Sequence, residues 1–124
     1  MTQRLTIPGR FQSLNDVIAS AKSHPLVYAK EKRTHTQKVM VLAMAARLKK
    51  IERPCCIRIS WYEQTRRRDQ DNIAAGGTKP ILDGLQEAGI LPTDGWKWIT
   101  GLEHRFHIDK DNPRIEVDVM EEPK

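Results

Sequence analysis

Cysteine is scarce in this chain of 124 residues, and the two it has, Cys55 and Cys56, are adjacent. Neighbouring cysteines make neither a disulfide framework nor a CxxC pair, so they read as strand residues in a reducing compartment. Long apolar runs are missing too. The longest, VMVLAMAA (39 to 46), falls far short of the roughly 18 residues that a membrane-spanning helix needs. The opening MTQRLTIPGR lacks the apolar centre of a secretory signal, so the expected location is the cytoplasm, with no membrane partner. Repeats, low-complexity tracts and linkers are also lacking, which leaves one domain over residues 1–124 as the expectation. With 39% hydrophobic and 30% charged residues, the chain is too apolar to be disordered and long enough to bury a core.

Charge is present in quantity and unevenly spread. The formal net charge is +5. Between Lys22 and Arg53 nine basic residues face only Glu31 and Glu52, whereas from Glu103 onward four basic residues face seven acidic ones. A segment this basic sets up a positive field suited to a polyanion such as nucleic acid, although lysine-rich solvated helices produce the same pattern.

The periodicities predict an α+β fold, a mixed β-sheet packed against helices. RLTI (4 to 7) is a short strand ended by Pro8-Gly9, and Ser13 can cap a helix over 14 to 23, where Leu14, Val17, Ile18 and Ala21 recur at helical spacing. His24-Pro25 breaks that helix. A longer one is expected from about Tyr28 to Lys50, basic first and apolar later, with its methionines filling the core. CIRISWYE (56 to 63) alternates Ile57, Ile59 and Trp61 with Arg58, Ser60 and Tyr62, as a half-buried strand does. A glycine-containing loop, IAAGGT, should follow, then a short helix opened by Lys79-Pro80 and stopped by Gly89 in the left-handed region. A strand after ILPTDGWKWITG and another over RIEVDVM (114 to 120) complete the order.

RRRDQDN (66 to 72) sets three arginines against two aspartates one residue apart. On an extended segment Asp69 and Asp71 share a face, and Asp94, in a turn after the short helix, can point back toward them. Three converging carboxylates would suit Mg²⁺ or Mn²⁺ rather than zinc. Such an ion activates water and stabilises charge in phosphodiester cleavage, and Lys79 would neutralise a phosphate oxygen. On spacing alone a solvated surface loop is the simpler reading.

The order RDQDN, Lys79, ILDGLQEAGIL, Asp94 resembles the core motif of the RusA family of Holliday junction resolvases. DNIAAGGTKPILDGL and TDGW are similar to the phage and prophage subtype of that family, and Ser13 and Asn15 in IPGRFQSLND resemble its opening. The likeness spans Ile7 to about Ile99. It implies a Mg²⁺-dependent endodeoxyribonuclease (Mn²⁺ able to substitute) that resolves four-way junctions by paired symmetric cuts in DNA recombination and repair. It implies a homodimer, encoded by a bacterium, phage or prophage. Carried over, Asp69, Asp71 and Asp94 are the metal-binding catalytic aspartates and Lys79 the catalytic lysine, with Asn72 and Asp83 as support. Two departures stand out. The gap between Asn72 and Lys79 is longer than in the best-known members, and Thr93 replaces the first acid of the usual Asp-Asp pair. From a different class, a non-catalytic DNA-binding recombination or regulatory protein remains the alternative, and an RNA-directed nuclease shares the same residue types.

Other residues have plainer expectations. Asp83, four residues after Lys79, shares its helical face and pairs with it. Arg66, Arg67 and Arg68 are candidates for holding DNA phosphates, as are Lys30, Lys32 and Arg33, which equally suit a solvated helix. His104 and His107 fall on opposite faces of a strand, so a shared metal is not expected. Of Trp96 and Trp98, one should be core and the other surface or interface.

Overall fold

The computed structural model describes residues 2–11 and 14–123, and the side chains of all these but 14, 15, 17, 20 and 28. Their order is β1 (Thr2–Pro8), α1 (Leu14–Ser23), α2 (Pro25–Ala45), β2 (Cys55–Glu63), α3 (Gln70–Glu87), β3 (Ile99–Ile108) and β4 (Arg114–Glu121). The sheet runs β1-β4-β2-β3, with β4 antiparallel to both β1 and β2, and β2 parallel to β3. This is the α+β fold with a mixed sheet that the alternation predicts. Parallel neighbours cannot be joined by a tight turn, and α3 supplies the crossover between β2 and β3. No described helix is long and apolar enough to cross a membrane.

Alternation gives the sheet a dry face and a wet one. Ile57, Ile59 and Trp61 of β2, Ile115, Val117 and Val119 of β4, and Leu5 and Ile7 of β1 are buried, packed with Val39 and Ala43 of α2 and Ile73, Ile81 and Leu85 of α3. On the opposite face a row of alternating charge crosses all four strands. Arg4, Asp118, Arg58 and Glu103 stand directly beside one another in register. Arg4 donates to Asp118 at 2.7 and 3.1 Å, and Arg58 to Glu103 at 2.9 Å.

Helix α2 differs from expectation at both ends. It starts at Pro25, whose fixed φ suits a first turn, and stops at Ala45 instead of reaching Lys50. The stop is a left-handed cap: Arg47 has φ 57°, its N–H donates to the Met44 carbonyl at 3.0 Å, and the Leu48 N–H to that of Ala43 at 3.2 Å. Glycine adopts that conformation without the Cβ clash an arginine suffers. Arg47→Gly is therefore expected to stabilise the fold by about 1 kcal/mol, read as a higher denaturant midpoint at unchanged slope. Met44 is 61% exposed, so it is not the core filler expected of it. Ser13, the expected cap of α1, lies outside the described residues, as do the side chains of Leu14, Asn15 and Val17.

The larger correction concerns α3. Local signals place a glycine loop over IAAGGT and start a helix at Lys79, yet one helix runs unbroken from Gln70 to Glu87 with Pro80 inside it. Packing overrides the local glycines here. A Cβ on Gly77 would lie 2.7 Å from the Trp61 indole, and one on Gly84 would lie 2.4 Å from the Val39 Cβ. The glycines let the helix approach the sheet and α2 at distances no side chain permits. Gly89 does end the unit, at φ +78° with its N–H on the Gln86 carbonyl at 3.0 Å.

The Trp61 Nε1–H, at the dry face, donates to Nδ1 of His104 at 3.0 Å. Burial holds the His104 pKa below its ordinary 6.5, and burial does the same to His35. Both imidazoles resist protonation in the folded state, whereas the unfolded chain takes up protons near 6.5. Their contribution is complete above 6.5 and is lost as pH falls below it toward the folded values. A urea midpoint that declines over this window, with a smaller decline in His104→Gln, is the expected result.

Candidate active site

The residues singled out in the sequence fall into two groups along α3. At its N-terminus Asp69 is the cap residue, extended at φ −74° and ψ 148°, and its carbonyl accepts the Ile73 N–H at 3.1 Å. Asp71 sits in the first turn, where its Oδ1 accepts the N–H of Asn72 at 2.9 Å. Both aspartates are exposed. The positive end of the helix dipole favours carboxylates at this position. Because Asp71 is helical, the strand alternation that would align it with Asp69 does not apply.

The second group lies farther down the helix. Lys79 is eight residues beyond Asp71, about 12 Å along the axis at the helical rise. Its ammonium donates to Asp94 Oδ2 at 2.7 Å and lies 3.1 Å from Asp83 Oδ1. The expected Lys79–Asp83 pair is thus present, and Asp94 joins it from the turn before β3. The hydrogen bond to Asp94, then that to Asp83, raises the Lys79 pKa, and the same ammonium holds the Asp94 carboxyl below its usual range. Lys79 and Asp94 are therefore both charged at neutral pH. The side chain of Lys79 remains more than half exposed, so its ammonium is open to solvent while held between two acids.

Asp69 and Asp71 thus stand at the head of α3, and Asp94 beside Lys79 farther along it. Among the described residues no three His, Cys, Asp or Glu side chains lie close enough together to hold a metal ion. Unbroken α3 is the physical reason: a helix, unlike a loop, cannot fold back to bring its start beside Lys79. The donors are nonetheless all hard oxygens, the chemistry that Mg²⁺ and Mn²⁺ take.

The arginines also divide. Arg66 and Arg67 are exposed in the turn before α3. Arg68 is not, and its expected role on DNA phosphate gives way to an internal one. Its Nε and Nη2 each donate to Glu63 at 2.9 Å, and Nη1 donates to the Phe11 carbonyl at 2.8 Å. Glu63, buried at the end of β2, also accepts from Arg10 at 3.4 Å. This cluster ties the strand end, the Phe11 segment and the start of α3 together, and sequence reading missed it. The available signal was Glu63 itself, an acid at an inward position of an alternating strand.

Lys30, Lys32 and Arg33 are exposed on α2. Lys32 and Arg33 line an open groove of 510 Å³ between α2 and α3, whose α3 wall includes Asp83. The basic helix face and the Lys79 cluster are therefore neighbours. His104 and His107 lie on opposite faces, the second stacked on Tyr62 with ring centroids 4.6 Å apart. Trp96 is 97% exposed, whereas Trp98 packs against the core.

No protein-family model matches the chain, and no curated protein sequence matches it.

Proposed function

We propose that the protein is a structure-selective endodeoxyribonuclease that cuts four-way DNA junctions with a divalent metal ion, as a member of the RusA-like resolvases. The observation that carries this reading is the Lys79 ammonium held between Asp83 and Asp94, with Asp69, Asp71 and Asn72 at the head of the same helix, in the motif order of that family.

In this reading Asp69, Asp71 and Asp94 are the residues that would hold Mg²⁺ or Mn²⁺, and the ion, when bound, supplies an activated water and stabilises the phosphorane charge. The chain's own groups do the rest. Lys79 offers a mobile cation to a phosphate oxygen, and Asp83 holds its stem one turn on. Arg66 and Arg67, with Lys30, Lys32 and Arg33 along α2, bind the sugar-phosphate backbone through charge. A four-way junction has two-fold symmetry, so two matched cuts require two sites related by the same axis, and the protein acts as a homodimer. Its place is the cytoplasm of a bacterial cell, in recombination and repair of its own or a prophage genome.

The test is incubation with a synthetic mobile four-way junction. Paired symmetric nicks with Mg²⁺, suppressed by EDTA and absent on linear duplex, are the expected result. The second reading, a DNA-binding protein without catalysis, draws on the exposed basic face of α2. Tight junction binding with no nicks in Mg²⁺ or Mn²⁺ would select it.

A further inference from the structure

Among the described residues the most exposed large apolar side chain is that of Trp96, at 97%. Trp61 is buried and Trp98 packs against the core. The Trp96 ring is nonetheless carried on a fixed turn. The N–H groups of Trp98 and Ile99 both donate to the Gly95 carbonyl at 3.1 Å, and the Cys55 N–H donates to the Trp98 carbonyl at 2.8 Å, which ties the turn to β2. Beside the ring lies an open hollow of 450 Å³ lined by Trp96, Ile99, Leu102 and Asp94. Asp94 is the residue that accepts from Lys79 at 2.7 Å. An aromatic and aliphatic surface therefore adjoins an exposed ammonium, with one carboxylate between them.

We infer that this hollow takes an unpaired nucleobase, stacked on Trp96, from the strand whose phosphate Lys79 meets. The surroundings select the occupant. A nucleotide is a flat plate with apolar faces joined to an anion, and the hollow is an apolar surface next to a cation. Lys97 adds a second ammonium to the same turn, 5.4 Å from the Trp98 ring centroid. Asp94 and Trp96 are two residues apart, so their Cα atoms lie within about 7 Å of each other, a span that one nucleotide bridges from phosphate to base. An aliphatic side chain of a protein partner would cover the ring but make no use of the two ammonium groups. An intact duplex supplies the anion but keeps its base faces stacked inside the helix. Only a base freed from its pair offers face and phosphate together. Stacking on an aromatic ring holds any base by its π-face without reading its edges, so the site selects for unpaired strand and not for sequence.

This inference rests on Lys79 meeting phosphate, as in the function proposed above, and its test reads binding without cleavage. Tryptophan emission is followed while a short single-stranded oligothymidylate is added in EDTA. The wild-type emission should be quenched. Trp96→Ala should lose that quenching and bind roughly tenfold or more weakly, the scale of one base–aromatic stack. Trp96→Phe should keep most of the affinity, since its ring still offers a face. The salt dependence of binding should be the same in wild type and Trp96→Ala, because no phosphate contact is removed. Circular dichroism confirms that both variants are folded. Equal quenching or equal affinity in Trp96→Ala, a shallower salt slope in that variant, or no binding of the oligonucleotide would overturn the inference. So would an emission change on raising the protein concentration alone, which would seat a second copy on the ring. Quenching through Trp96 with no nicking of a four-way junction in Mg²⁺ or Mn²⁺ would keep the base site and discard the nuclease reading. Nicking without such quenching would do the reverse.

Discussion

Lys79→Ala is expected to slow junction cleavage by roughly 10² or more, the scale for losing one charge-stabilising group from a transition state, while junction affinity changes far less. The ammonium sits 2.7 Å from Asp94 and 3.1 Å from Asp83, and both contacts keep it protonated throughout the neutral range. Its exposure means the variant should fold normally, because exposed ion pairs contribute little, about 0 to 1 kcal/mol. Lys79→Arg should restore part of the rate, since a planar guanidinium carries the charge but not the compact geometry. An arginine from the preceding turn could in principle take over the role, and Arg68 is the nearest in sequence. Its guanidinium is committed to Glu63 and the Phe11 carbonyl. Arg68→Ala should therefore lower stability, with the single-turnover rate of the folded fraction preserved. Single-turnover cleavage by the three variants separates these outcomes, and a normal rate in Lys79→Ala would remove the lysine from the mechanism.

The second large effect is on stability. In Gly84→Ala the new Cβ would lie 2.4 Å from Val39 Cβ, 2.6 Å from its Cγ1 and 2.8 Å from the Thr36 carbonyl oxygen. The carbonyl belongs to the α2 backbone, so relief requires separating two helices that form one wall of the core. Overpacking of this kind costs about 1–3 kcal/mol or more. Alanine's better helix propensity offsets about 1 kcal/mol at most, so the clash wins. Against a total stability of roughly 5–15 kcal/mol the loss should be plain in a denaturant midpoint. Gly95→Ala is the natural control: its Cβ would meet only the Thr93 hydroxyl, at 3.6 Å, and the midpoint should stay put. Equal midpoints for the two variants would mean that α2 and α3 are not in contact at Gly84.

Much of this architecture was legible in residue order. Ile57, Ile59 and Trp61, and Ile115, Val117 and Val119, each alternate as a half-buried strand must, and they are the dry face. Gly89 was expected as a left-handed stop and takes that conformation just after α3, and Asp83 pairs with Lys79 as helical spacing requires. The start of α3 was not legible. Gly76-Gly77 and Lys79-Pro80 are strong local breakers, and only contact with Trp61 and Val39, both distant in sequence, makes a continuous helix the better solution. Arg68 looked like one of three equivalent arginines, because the inward position of Glu63 calls for a basic partner without saying which arginine supplies it. The strand order was hidden for the same reason, since pairing across the sheet depends on residues far apart in the chain.

That strand order has a kinetic side. Among the described residues strand β1 pairs with β4 alone, and the Arg4–Asp118 contact closes a separation of 114 residues. On a growing chain β1 has no sheet neighbour until β4 has been made, and non-local pairings of this kind slow folding. Until β4 is made, Leu5 and Ile7 have the α2 residues of the core but no sheet neighbour beside them, and this edge of the sheet is sealed late.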